Sequence, residues 1–95
     1  MTGTTRTSAD LDTRRRRILY RSWHRGMREV DLILGSFADG EIDKLTEEEL
    51  NIYERLMSED DGDILKWVLG EKPVPTEHDT PVFAKILSYR DSALV

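Results

Sequence analysis

Apolar residues at helical spacing are the feature that most constrains the fold of this chain. The clearest set occupies positions i, i+3, i+4 and i+7 of one segment: Val30, Ile33, Leu34 and Phe37. Residues at this spacing share one face of an α-helix, so the segment is expected to bury that face. Similar patterns recur from Ile18 onward, and no strand is predicted. The sequence therefore predicts an all-α fold.

Five helices are predicted, and most of their ends carry capping or turn residues. Thr46 and Glu49 have the spacing of a capping box, which marks the start of the third helix. The Asp39-Gly40 turn signal is expected to end the second helix near Ala38. The first, third, fourth and fifth helices are predicted at about 12–24, 47–57, 63–69 and 81–89, and the second is predicted to have Glu29 and Asp31 in its first turn. We expect a small five-helix bundle.

The length and composition are those of one small domain. With 95 residues, 38% hydrophobic and 35% charged, the chain can fold around a thin core because its apolar residues are periodic. We expect a disordered N-terminal tail at residues 1–10, a single helical-bundle domain at 11–90 and a disordered C-terminus at 91–95. The chain has no Cys, which excludes disulfides, thiolate catalysis and Cys-ligated metal sites.

No apolar run approaches the roughly 18 residues that a membrane-spanning helix needs, and no secretory signal is recognised. Membrane insertion is therefore not expected. Residues 1–9 are rich in Thr and Ser but are too short for an organellar transit peptide. We expect a cytoplasmic bacterial protein rather than one of the mitochondrial matrix.

Charge is distributed unevenly along the chain. Residues 1–28 carry a formal charge of +6 and residues 29–95 carry −11, which gives the net charge of −5. The run Arg14–Arg17 could neutralise phosphates, so a basic-helix adaptor for nucleic acid or another anionic surface is one hypothesis. The acidic remainder argues against it, and no nucleic acid partner is expected.

Little in the sequence indicates catalysis or metal binding. His24 has no nucleophile at a suitable spacing, and His78 is expected to be a hydrated loop residue. The acidic run 59–63 lacks the spacing of a calcium loop, so we interpret it as helix capping. We predict no catalytic residue, no metal site, and no cofactor bound by this chain.

The corner, residues 25–29, carries more charge than a connection between two antiparallel helices requires. Gly26 supplies a positive φ or a close backbone approach. In a structural interpretation, Arg25 caps carbonyl groups that end one helix and Glu29 neutralises the start of the next. In an interaction interpretation, both charges contact another protein beside Gly26, with Met27 or Trp23 as an apolar anchor. The residues themselves do not decide between the two.

Two segments of the chain resemble a known family. Residues 25–31 read Arg-Gly-Met-Arg-Glu-Val-Asp and match an RGxxE signature, and residues 60–67 match a DD-x-D-[LI]-x-x-W stretch. Residues 53–56 also fit, and order and spacing are preserved from about residue 18 to residue 75. The chain thus resembles the SdhE-type flavinylation factors, which assist covalent attachment of FAD to the flavoprotein subunit of succinate dehydrogenase.

The resemblance implies a non-enzymatic assembly chaperone with a five-helix fold, and we expect the chain to be a monomer. Its partner would be the flavoprotein subunit of succinate dehydrogenase or fumarate reductase. The FAD would belong to that partner, where a partner His attacks the 8α-methyl position. The partner-binding residues implied by the resemblance lie in and beside the corner: Arg25, Gly26, Met27, Arg28, Glu29 and Asp31.

Overall fold

The computed structural model describes residues 10–94, and this part of the chain contains helices and no strand. The five helices are α1 (Thr13–Trp23), α2 (Arg28–Glu41), α3 (Glu47–Met57), α4 (Asp61–Val68) and α5 (Pro81–Leu94), with a 3₁₀ turn at Thr76–His78. The predicted all-α class and helix number are confirmed. The predicted disordered tail at residues 1–10 lies outside the described residues, except for Asp10. None of the described helices is long and apolar enough to cross a bilayer.

Helix α2 lies at the centre of the bundle, in contact with α1, α4 and α5. Arg15 in α1 reaches the carbonyl of Ile42 just after α2, whereas Trp23 at the other end of α1 lies against Gly35. The two helices are therefore antiparallel, as predicted. The largest fully buried side chains come from all five helices and the α2–α3 connection: Tyr53, Phe37, Ile18, Ile33, Leu34, Ile42, Leu45, Leu50, Ile64 and Ile86.

The predicted helix starts are well matched by hydrogen bonds. Thr46 accepts from the amide of Glu49 at 3.1 Å, and the Glu49 carboxylate accepts from the amide of Thr46 at 2.9 Å, so the capping box is confirmed. The hydroxyl of Thr80 likewise accepts from a first-turn amide of α5. Helix α4 begins two residues earlier than expected, at Asp61, because Asp60 caps it.

The prediction that α2 ends near Ala38 was wrong, since the helix continues to Glu41. Gly40 is not a turn residue here. A Cβ atom at Gly40 would overlap the hydroxyl of Tyr89, and this hydroxyl donates a hydrogen bond to the Glu41 carboxylate at 2.6 Å. A glycine in this context normally marks a turn, but in this fold Gly40 permits close packing of α5 on α2.

Helix α5 continues to Leu94, beyond the predicted end near Tyr89. Residues 91–94, expected to be disordered, are helical, while Val95 lies outside the described residues. The side chain of Arg90 donates to the carbonyl of Val68 at 2.9 Å, which ties this end of α5 to the end of α4. That contact depends on the tertiary fold and has no signal in the local sequence.

Candidate functional site

The corner between α1 and α2 turns at Gly26, whose φ is +117°. L-residues with a side chain rarely adopt this conformation, so the predicted positive φ is confirmed. A Cβ atom at Gly26 would meet no other atom within 4 Å. Gly26 is exposed, so the space beside its backbone is open to another molecule.

The guanidinium of Arg25 points inward. Its Nε lies 2.5 Å from Oδ1 of Asp61, its Nη1 donates to the carbonyl of Met57 at 2.7 Å, and its Nη2 donates to that of Glu59 at 2.9 Å. Only 12% of the side chain is exposed. Arg25 therefore caps the carboxyl end of α3, not that of α1 as the structural interpretation expected.

The neighbours of Arg25 that were considered for binding are not equally accessible. The Asp31 carboxylate accepts from the backbone amide of Arg25 at 2.8 Å and so belongs to the internal structure of the corner. Trp23 is only 8% exposed, so the suggestion that it forms an exposed anchor was wrong. Met27 is partly buried and packs against the core.

Arg28 and Glu29 are exposed in the first turn of α2. Together with Gly26 they form what we call the outer face of the corner. Glu29 lies near the unpaired amides that begin α2, where a negative charge is favoured. The six predicted residues thus divide into an outer face (Gly26, Arg28 and Glu29) and an inner set (Arg25 and Asp31), with Met27 between them.

Sequence reasoning missed the residues that hold the corner from the other side. Met57 ends α3, Glu59 lies in the connection between α3 and α4, and Asp61 begins α4; all three bind the Arg25 guanidinium. The acidic run was interpreted as helix capping, which holds for Asp60. The run contains more acidic residues than helix capping requires. This excess was the one local signal that an arginine from elsewhere in the chain would pair with the run.

The two histidines occupy different environments. His24 is exposed, with Nδ1 2.7 Å from the carbonyl oxygen of Tyr20 and its ring stacked on the Tyr20 ring at a centroid distance of 4.0 Å. His78 is 5% exposed, so its assignment as a hydrated loop residue was wrong. Trp67 covers it at a ring centroid distance of 5.5 Å.

Within residues 10–94, three side chains could be considered for a cation: those of Glu59, Glu77 and His78, whose ligand atoms lie within 4.8 Å of one another. Nε2 of His78 is 2.7 Å from Oε2 of Glu59, which is a hydrogen-bond distance. Ligands of a tetrahedral zinc ion lie about 3.3 Å apart, given metal–ligand distances of about 2.0 Å. We therefore assign His78 and Glu59 a structural role, pinning the 3₁₀ turn to the α3–α4 connection.

Half of the basic run Arg14–Arg17 is used inside the molecule. Arg14 binds Glu54 at 2.6 Å and Glu47 at 2.7 Å, and the hydrogen bond that it donates to Glu54 raises the pKa of Arg14. Arg15 donates to the backbone carbonyls of Ile42 and Leu45. Arg16 and Arg17 alone remain exposed, which weakens the hypothesis of a basic-helix adaptor.

Comparison with known proteins gives this geometry a context. Residues 16–90 match the model of a family described as "Flavinator of succinate dehydrogenase". The chain belongs to this flavinator family. The matched region begins within α1 and includes the corner, the α3–α4 connection and most of α5, so it contains both the outer face and the residues that hold it from behind.

Proteins with sequences similar to this chain come from eukaryotes and bacteria. The chain is 45% identical over 74 residues to the mitochondrial succinate dehydrogenase assembly factor 2 of Dictyostelium discoideum, covering 78% of this chain and 52% of that protein. It is 35% identical over 78 residues to the FAD assembly factor SdhE of Acetobacter pasteurianus, covering 82% and 72%. The chain thus spans about half the length of the first relative and most of the second.

Proposed function

We propose that this chain is an assembly factor that binds the flavoprotein subunit of succinate dehydrogenase and promotes covalent attachment of FAD to it. The observation that carries the proposal is the family match over residues 16–90. Two similar proteins are named as a succinate dehydrogenase assembly factor and an FAD assembly factor. The alternative of a basic-helix adaptor has no comparable support, since Arg14 and Arg15 are held internally.

The outer face of the corner supplies the contact surface in this proposal. The open space at Gly26 allows a partner backbone to approach closely, because no side chain of the corner fills it. Exposed Glu29 and Arg28 then offer charge-assisted hydrogen bonds of opposite sign beside that approach. Such an arrangement fixes the orientation of a partner as well as its position.

In this proposal, the partner carries out the chemistry of FAD attachment. The bond to FAD would form between a partner His and the 8α-methyl group, and the FAD would be held by the partner. This chain would act by holding the partner in the geometry where those groups line up, and positioning alone can account for several kcal/mol of a reaction barrier. We further propose that it acts as a cytoplasmic monomer without catalytic groups, and that a fumarate reductase flavoprotein can be a second partner.

Coexpression with the flavoprotein subunit tests the proposal. Flavin fluorescence of the denatured subunit reports covalent FAD, and it is expected to rise when this chain is present. Glu29→Ala and Gly26→Arg are expected to abolish most of that rise without unfolding the chain. Glu48→Ala is the matched control, because Glu48 is also an exposed acid in the first turn of a helix. Equal flavin fluorescence with and without the wild-type chain would contradict the proposal.

A further inference from the structure

Three of the five N–H groups of the Arg25 guanidinium are engaged in the free protein, and only 12% of the side chain is exposed to a partner. Each of its three nitrogen atoms already has an acceptor, at Asp61, Met57 or Glu59. We propose that Asp61 and Arg25 form a positioning pair, through which Arg25 acts on the partner indirectly by fixing the outer face of the corner. The inference rests on the function proposed above and assigns a role to Asp61.

Residue 25 is held at both its backbone and its side chain. Its amide donates to the Asp31 carboxylate in α2, and its side chain reaches the α3–α4 connection. The peptide that enters Gly26 is therefore fixed in direction, and Gly26 follows it with φ of +117°. Glu29 lies about one helical turn beyond Arg25, so the direction of its side chain depends on how residue 25 is held.

Asp61 supplies the only carboxylate bound to the Arg25 guanidinium among the described residues, and both side chains are largely covered, 20% and 12% exposed. A guanidinium in such a place is costly without a counter-charge. Asp61→Asn keeps an amide oxygen beside Nε but removes the counter-charge, so only neutral acceptors remain and Arg25 is expected to turn toward water. Lysine cannot replace Arg25, because one ammonium group cannot reach three acceptors that match a planar fork.

The alternative is that Arg25 itself contacts the partner. It would then have to donate from the second N–H group of Nη1 or Nη2, although little of its side chain is exposed, or release an internal hydrogen bond, and docking would not need Asp61. The two cases differ in what Asp61→Asn does. If Asp61 positions the corner, this variant weakens docking although Asp61 itself faces Arg25 and not the partner. If Arg25 contacts the partner directly, the variant leaves docking intact or improves it by releasing Arg25.

The test measures affinity of the full chain for the flavoprotein subunit, at a temperature where circular dichroism shows every variant folded. Asp61→Asn and Arg25→Lys are each expected to weaken binding at least fivefold, and the double variant no more than the stronger single one. Glu54→Gln is the control, since it removes the charge from the Arg14 ion pair of similar length at 2.6 Å and does not change an acceptor of the Arg25 guanidinium. It is expected to lower the melting temperature without changing the affinity.

A second measurement reads the corner directly in the unbound chain. The backbone amide resonance of Gly26 is expected to shift in Asp61→Asn and to stay in place in Glu54→Gln. Unchanged affinity in Asp61→Asn, additive effects in the double variant, or an unmoved Gly26 resonance would each overturn the positioning role. If the wild-type chain does not bind the flavoprotein subunit at all, the proposed function fails, whereas the Gly26 resonance still decides whether Asp61 fixes the corner.

Discussion

The indole ring of Trp23 lies directly against the backbone of Gly35. A Cβ atom at Gly35 would overlap the ring carbons, so the last turn of α1 can approach α2 only because residue 35 lacks a side chain. The indole Nε1 donates to the Asp39 carboxylate at 3.1 Å, which fixes the ring in this position. The contact sets the spacing of the two helices that flank the corner.

Gly35→Ala is therefore expected to destabilise the protein. Forcing a methyl group into a filled contact costs about 1–3 kcal/mol, and the better helix propensity of alanine, about 1 kcal/mol, offsets only part of this. Urea denaturation followed by circular dichroism measures the change. Ser36→Ala, at the next position of α2, is the control and should lie close to wild type; a Gly35→Ala variant as stable as that control would contradict the packing described.

Gly26→Ala and Gly70→Ala should separate backbone strain from function. Both glycines have a positive φ, +117° and +76°, and a Cβ atom added at either would meet nothing within 4 Å, so each substitution is expected to cost about 1–3 kcal/mol through strain. Only Gly26 belongs to the corner. Covalent flavin in the partner should fall with Gly26→Ala and remain with Gly70→Ala, as measured by flavin fluorescence of the denatured subunit. Equal losses in both would attribute the effect to stability alone.

Arg15→Ala and Arg16→Ala should differ although the residues are adjacent and chemically identical. Arg15 donates to the carbonyls of Ile42 and Leu45, so its loss is expected to cost about 1–3 kcal/mol. Arg16 is exposed, and its replacement should change stability by less than about 0.5 kcal/mol. Thermal and urea denaturation measure both. The reverse order of stabilities would show that the basic run is arranged differently.

Stability should fall between pH 10 and 12. The hydrogen bond to Glu41, aided by burial, raises the pKa of Tyr89 to about 12, whereas an unfolded tyrosine titrates near 10. In this range the folded chain keeps a proton that the unfolded chain has released, so its contribution to stability is complete below pH 10 and is lost as the pH rises through 12.

Urea denaturation at several pH values between 9 and 12 measures this decline. Glu41→Gln removes the charge that disfavours ionisation of Tyr89, so its decline should be shallower than that of wild type. Burial also raises the pKa of Tyr53, and that part of the decline should persist in Tyr89→Phe. A pH profile identical in wild type and both variants would exclude the Tyr89–Glu41 contribution.

The local features of this fold could be predicted because their causes are local. The capping box at Thr46 and Glu49 spans four residues. The positive φ at Gly26 could be predicted because glycine is the residue type that tolerates this conformation well. Helix number and class follow from apolar spacing in the same way. The family resemblance, recognised from residues 25–31 and 60–67, is supported by the match over residues 16–90.

Features that depend on distant residues could not be predicted. The Asp39-Gly40 turn signal is overridden by Tyr89, which lies 48 residues from its hydrogen-bond partner Glu41. His78 has charged neighbours in sequence, yet Trp67 covers it in the fold. Whether the outer face of the corner contacts a partner stays a prediction, because no side-chain hydrogen bond or ion pair within residues 10–94 reveals the use of Arg28 or Glu29.

The bonds from Arg25 to Met57, Glu59 and Asp61 join parts of the chain that are 32 to 36 residues apart. During synthesis the corner therefore leaves the ribosome well before the residues that hold it. A nascent or truncated chain ending before Asp61 carries every residue of the RGxxE signature but lacks its geometry. In the proposed function, recognition of the flavoprotein would then begin only after translation has passed α4, so incomplete chains would not compete with finished ones.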